Sequence, residues 1–296
     1  MRKVILDTDM GIDCDDAVAL ALLLNAHKNK LCELIGVTAS TAREGAISTI
    51  NAIIDYYEVD KTNIQLGKLL TPLMCDSINN YAKAVMDKFQ KSDEAIDATI
   101  TLRKLLSESP DMVDIVAIGP LTNMNNLLNS KGDEYSPLSG KELIKSKVRK
   151  IYVMGGAFEQ QEFGEWNLLQ DINSAKDVIR NWPTEMVLSP HEVGYKIQTY
   201  MKEDFSNPVW YSMYSFAINN HEKVEYFSRY SWDPITCMYA LEIYDNLFDL
   251  SPFGDIEIDD KAITQFVSNS KNNRRYITTK SNLKGLEETL NKIIER

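Results

Sequence analysis

Apolar residues in the first 190 positions follow two rhythms. Compact, β-branched runs at residues 3–6, 33–38, 112–118, 149–154 and 185–188 read as buried strands. Between them lie stretches at 16–28, 43–57, 78–89, 95–108 and 173–181 with helical patterning, apolar on one face. Strand, helix, strand at this rhythm predicts βαβ units and an α/β fold: an open, mostly parallel sheet with helices on both faces. After Pro190 the texture changes. Six tyrosines fall between Tyr195 and Tyr230. Helical patterns at 202–219 and 234–243, short strands near 253–258 and 275–277, and an amphipathic helix at 283–294 complete the chain. Residues 131–145 are polar and contain Gly, Ser and Pro, which predicts a surface loop. No low-complexity linker, repeat or charge block divides the sequence, so one domain over 1–296 is expected.

The first strand runs into an acidic turn. Residues 4–20 read VILDTDMGIDCDDAVAL, and five of these seventeen are aspartates: Asp7, Asp9, Asp13, Asp15 and Asp16. So many like charges in one strand-to-helix turn repel and raise one another's pKa unless a cation neutralises them. Asp13, Asp15 and Asp16 can also cap the helix that follows, through its free N–H groups and dipole. One or two acids explain a cap and five do not, so a hard, oxygen-seeking divalent cation is the expectation. In open parallel sheets ligands bind beyond the carboxyl ends of the strands, which is where this turn falls.

Composition narrows the partners. At 44% hydrophobic and 25% charged residues the chain is globular. A net charge of −11 without a basic stretch argues against nucleic acid and favours a cation or a neutral small molecule. No apolar run approaches the ~20 residues that span a bilayer, and no basic-then-apolar leader opens the sequence, so no membrane partner is expected. Cys14, Cys32, Cys75 and Cys237 are scattered without a CxxC pair and read as reduced packing thiols of a cytoplasmic protein. Cys14 sits among acids that raise its pKa, which argues against a nucleophile.

Three later segments end apolar runs with polar residues and point to the same rim. In Ile118-Gly119-Pro120-Leu121-Thr122-Asn123, a Gly-Pro turn exposes the carbonyl of Ile118, a good ligand for a hard cation. Met154-Gly155-Gly156-Ala157 lets the backbone approach a ligand closely, and Glu165 and Asn167 after it offer an acceptor and an amide suited to sugar hydroxyls. In Ser231-Trp232-Asp233-Pro234, Asp233 either caps the helix begun by Pro234 or adds a carboxylate to the cation. Of the histidines His27, His191 and His221, His27 lies on an amphipathic helix and reads as structural; no HxxxH or HExxH spacing supports zinc. Glu192 follows another strand end and is a further candidate near the pocket. No GxSxG elbow, P-loop or complete GxGxxG is present.

In this order, the Asp-Thr-Asp-x-Gly-x-Asp-x-Asp-Asp-Ala opening, the Gly-Pro-Leu-Thr-Asn turn, Met-Gly-Gly-Ala with Glu-x-Asn after it, and the late Asp-Pro resemble the inosine–uridine-preferring nucleoside hydrolase family, from about Val4 to about Leu241. The resemblance implies an open α/β fold with Ca²⁺ at the strand ends and hydrolysis of the N-glycosidic bond of ribonucleosides. Carried over by position, Asp7, Asp9, Asp16 and Asp233 would hold the ion with the carbonyl of Ile118. Asp9 would also be the general base for the water that the ion holds. Asp15 and Asn167, with Glu165, would grip the ribose hydroxyls, and the ion would bind the 2′ and 3′ oxygens. The substrate would be a small ribosyl compound and the assembly a homodimer or homotetramer.

Departures from the family pattern cluster on the leaving-group side. Trp232 stands where many members have a histidine before Asp-Pro, and Thr41 where an asparagine is usual after the second strand. The asparagine expected shortly after Met-Gly-Gly-Ala falls at Glu159 or Gln160. Tyrosines and tryptophans of 195–232, Trp232 among them, either stack on a flat leaving group or serve as core or an oligomer contact. An alternative reading is a catalytically weak, calcium-dependent ribose- or nucleoside-binding protein. A haloacid-dehalogenase-type phosphotransferase shares the D-x-D at the end of the first strand, but Gly11 stands where Thr or Val is needed, and no matching lysine motif follows.

Overall fold

A computed structural model of the protein describes residues 1–77, 81–159, 163–223, 227–268 and 272–294. Its centre is a parallel stack of strands: β1 (Lys3–Thr8), β2 (Glu33–Ala39), β3 (Gln65–Lys68), β4 (Ile96–Asp97), β5 (Val113–Ala117), β6 (Val148–Met154) and β7 (Glu185–Ser189). Their spatial order is β7-β6-β5-β1-β2-β3-β4, with β1 in the middle, so the acidic turn emerges at the centre of one edge. An antiparallel pair, β8 (Gln198–Tyr200) and β9 (Ser228–Tyr230), stands apart as a ribbon. Four more strands extend the sheet beyond β7: β10 (Phe248–Leu250), β11 (Gly254–Ile258), β12 (Thr264–Ser268) and β13 (Arg274–Thr279). Of these β13 runs parallel to β7, while β11 and β10 pair with β13, and β12 with β11, all antiparallel.

Helices cover both faces, as the βαβ pattern requires. Alternation along β1 sends Val4 and Leu6 into one core and Ile5 into the other. The first core is roofed by α1 (Asp15–Lys28), α2 (Ala46–Tyr56) and α3 (Tyr81–Phe89); the second by α4 (Ala98–Glu108), α5 (Thr122–Leu128), α6 (Gly140–Lys147) and, beyond the short α7 (Trp166–Gln170), α8 (Ile172–Asn181). Beyond the short α9 (His191–Gly194), the helices α10 (Pro208–Asn219), α11 (Trp232–Ala240) and α12 (Leu283–Ile294) return to the first face and pack on α1. Every residue of α1 from Asp15 to Ala26 is therefore buried. A helix enclosed on all sides holds its amino end in one place, and that end carries Asp15 and Asp16.

Three expectations need correction. Residues 131–145 are not all loop: α6 begins at Gly140, where Ser139 and Glu142 form a reciprocal capping box. Strands β3, β4, β8, β9, β10 and β12 were not expected; β4 is a two-residue edge strand and the rest have three to five residues, so their pattern is too brief to show. The tenth helix starts at Pro208 and not at 202, with Asn207 capping it and proline at its first position. The start of the helix expected at 78–89 lies outside the described residues, and its described part is α3. His27 is structural, its Nδ1 accepting the Leu34 N–H at 3.1 Å. All four cysteines are buried free thiols, and burial, then Asp13, pushes Cys14 up.

Candidate active site

Strand β1 ends at Thr8, so Asp9 is the first residue beyond the sheet. Gly11 then takes φ = 124°, a left-handed conformation that lets the chain double back before α1. The carbonyl end of β5 comes equally close: a Cβ on Gly119 would lie 2.9 Å from the Asp9 Cβ. Capping does not use up the acids of this turn. The residue before α1 is Cys14, which offers no side-chain cap, and Asp13 accepts the Cys14 N–H at 2.7 Å and pairs with Arg229. Asp15 instead reaches across to α11, where its Oδ2 accepts the Asp233 N–H at 3.1 Å. Asp16 accepts the hydroxyl of Thr8. Asp233 lies in the first turn of α11 and does not cap it.

The outcome is convergence of residues far apart in sequence. Asp15, Asp16 and Asp233 each place one carboxylate oxygen within 4.8 Å of the others. Together with Asp9 they line a cavity of about 430 Å³. Burial raises Asp9 to about 7, with lesser contributions that lower it (its own N–H, Arg43) and raise it (Asp13, Asp7). Burial first, and then neighbouring carboxylates, raise Asp15, Asp16 and Asp233 well above the usual carboxylate range: Asp13 acts most on Asp15, where Arg229 opposes it, Asp9 on Asp16, and Asp15 on Asp233. None of these four makes an ion pair among the described residues. Four buried oxygen donors without a basic partner fit a divalent cation that prefers oxygen, and the absence of His and Cys ligands from the group does not fit zinc. A cation at that point would offset the charge repulsion that adds to burial in raising these groups.

Asp7 is not brought into this group. Two residues back along a strand is about 7 Å deeper. There Asp7 Oδ1 accepts Thr38 Oγ1 at 2.5 Å and Asn123 Nδ2 at 2.8 Å, while Oδ2 has no hydrogen-bond partner among the described residues and burial raises the carboxyl to about 7. It braces β1 against β2 and α5 from beneath. Ile118 lines the cavity, and its carbonyl accepts the Asn167 amide at 3.1 Å, leaving one lone pair. Asn167 and Glu165 both line the cavity. The Glu165 carboxylate, raised to about 7 by burial, accepts the N–H groups of Asn167 and Leu168 at 3.1 Å and so caps α7. It positions Asn167 from behind. Trp232 forms part of the wall, with Nε1 donating to the His191 carbonyl at 3.0 Å.

Other candidates lie elsewhere. Glu192 is buried outside the cavity wall and holds the Phe158 N–H at 2.9 Å. Thr41 is buried with its hydroxyl on Asp76. Glu159 pairs with Lys196 at 3.1 Å; Gln160, Glu162 and Tyr226 lie outside the described residues. Alongside Asn220, His191 is a polar cavity residue to which sequence reasoning gave no role. It follows the same strand end that drew attention to Glu192, one position earlier, so the rule was right and the neighbour wrong.

Residues 4–284 match the family described as inosine-uridine preferring nucleoside hydrolase. A pyrimidine-specific ribonucleoside hydrolase, RihA of Salmonella newport, is 25% identical over 264 residues, covering 81% of this chain and 79% of that protein. The non-specific ribonucleoside hydrolase RihC of Salmonella enteritidis is 28% identical over 214 residues, covering 69% of this chain and 65% of that protein. The crystal structure of an inosine-uridine preferring nucleoside hydrolase from Bacillus anthracis superposes with a TM-score of 0.71 at 17% identity, with 99% of each chain covered. The open, mostly parallel sheet is common ground.

Proposed function

As this chain belongs to the inosine–uridine preferring nucleoside hydrolase family, we propose that it hydrolyses the N-glycosidic bond of a ribonucleoside or a related N-ribosyl compound with the help of Ca²⁺. The observation that carries this reading is the meeting of Asp9, Asp15, Asp16 and Asp233 in one cavity, from the first turn and the late Asp-Pro together. Asp9, Asp16 and Asp233 with the Ile118 carbonyl would hold the ion. When bound, such an ion supplies a fixed positive charge that acidifies water and orients vicinal hydroxyls.

The protein's own groups do the remainder. Asp9 takes the proton of the attacking water, a role that its place at the carboxyl end of β1, in the cavity beside the other acids, suits it for. Asp15 has one oxygen engaged by the Asp233 N–H, which fixes its orientation and leaves the other for a ribose hydroxyl. Asn167, held by the Glu165 cap and the Ile118 carbonyl, presents its amide to the same sugar. As the bond to the base breaks, positive charge gathers on the ribosyl ring, and the carboxylates around it stabilise that charge. Trp232 offers an apolar face to the leaving base.

Sugar release from a panel of purine and pyrimidine ribonucleosides, with and without chelator, tests the proposal. Turnover that chelation abolishes and Ca²⁺ restores supports it. Nucleoside binding without turnover on any substrate, including a nitrophenyl riboside, would favour the catalytically weak binding protein instead.

A further inference from the structure

With Trp232 in the wall, the indole N–H is the one polar group that residue has, and it is spent on the His191 carbonyl. The side chain it leaves facing the cavity beside it is the imidazole of His191. That ring is fixed on every side. Its backbone N–H donates to the Gly156 carbonyl at 2.9 Å, and its carbonyl accepts from Trp232. Its ring stacks on Tyr195 at 5.5 Å and 24°, leans on Trp232 at 5.5 Å and 31°, and meets Phe163 edge-on at 5.8 Å. Tyr230 closes the circle, 4.5 Å from Tyr195 and 5.2 Å from Trp232. Within this setting the imidazole nitrogens have no hydrogen-bond partner among the described residues.

We infer that the His191 imidazole is the hydrogen-bond donor that meets the departing base. The inference rests on the hydrolase reading above and assigns the leaving-group half of the same site. Burial lowers the His191 pKa, so the ring is neutral at pH 7 and presents one N–H and one acceptor. Negative charge accumulates on the base as the C1′–N bond breaks and the water oxygen bonds to C1′. Ring nitrogens of a purine and the ring carbonyl of a pyrimidine next to the glycosidic nitrogen are the acceptors on which it builds. A donor held in place by packing stabilises that charge without reorganising, and removing one such donor elsewhere costs about 10²- to 10³-fold in rate. The base then takes its proton from solvent, so His191 need not change charge. Asn167 is placed at the sugar, the cluster aspartates are acceptors, and the Asn220 amide donates to the Phe216 carbonyl; of the ring donors Trp166 and His191 that line the cavity, His191 is the one packed against Trp232.

The test compares a nucleoside with nitrophenyl riboside, whose leaving group is stable as an anion, in wild-type protein, His191→Phe and His191→Gln. His191→Phe keeps the aromatic packing and removes the donor. The ratio of kcat/KM for nucleoside over nitrophenyl riboside is expected to fall by about 10²-fold in His191→Phe and to recover in part in His191→Gln, with Ca²⁺ binding retained as the check on folding. An unchanged ratio in His191→Phe, or equal loss on both substrates, overturns the inference while leaving the hydrolase reading intact. A wild-type protein inert toward both substrates would overturn both.

Discussion

At the amino ends of β1, β5 and β6, Asp114 and Glu242 face Arg2, Arg149 and Lys150; at the carboxyl end of β1, Asp9, Asp15, Asp16 and Asp233 face one another. Glu242 accepts Tyr152 Oη at 2.5 Å and Lys150 Nζ at 2.9 Å and pairs with Arg2 and Arg149 at 3.1 Å. Burial alone would raise Glu242, yet the hydrogen bonds from Tyr152, Lys150 and Arg149 bring it down to about 2. Burial outweighs Arg149 at the deeper Asp114, so the mark of pairing is clean only at Glu242. At the other end the same residue types are driven upward. Acids that come with their own cations hold the fold together. Acids gathered without them make a place for a cation from solution.

Removing acids from the two ends should therefore give opposite signatures. The largest effect is expected from Asp9→Ala, which should lower nucleoside turnover by about 10³-fold or more and weaken Ca²⁺ binding, with the fold retained in circular dichroism. Full activity in that variant would remove the base and the ligand assignment together. Chelation comes next: the native state should lose about 2.7 kcal/mol relative to protein in Ca²⁺ at a hundred times Kd, several degrees in Tm. Glu242→Gln should cost about 2 kcal/mol by thermal unfolding while kcat and Ca²⁺ affinity stay at wild-type values. Its pH dependence has a definite sign. Because the folded Glu242 pKa is depressed, its contribution is complete above about 4.5, the usual glutamate range, and is lost as pH falls through about 2. The Tm gap between wild type and Glu242→Gln should thus narrow across that window. Smallest is Asn167→Ala, expected to raise KM for a nucleoside about tenfold through one lost hydrogen bond to the sugar.

The acidic half of the site was legible in the sequence and the aromatic half was not, for physical reasons. Five aspartates between a strand and a buried helix are a local pattern, and local patterns survive without coordinates. Even there depth was invisible: Asp7 and Asp9 look alike in a D-x-D, and only the end of β1 at Thr8 separates a brace from a rim residue. The link from Asp15 to the Asp233 N–H joins residues 218 positions apart and leaves no local trace. On the other side, Trp232, His191, Tyr195 and Tyr230 come from α9, α11 and the β8–β9 ribbon with its flanks, elements too short to show a period. Capping boxes are the exception among missed elements: Ser139 with Glu142 was in plain sight and marks the start of α6.

Isothermal titration of Ca²⁺ into chelator-treated protein, with and without a ribonucleoside present, tests the central claim most directly. Tight binding at one site, strengthened when the nucleoside is present, is the predicted result. Absence of Ca²⁺ binding would contradict the assignment of Asp9, Asp16 and Asp233 as cation ligands and the hydrolytic role built on them.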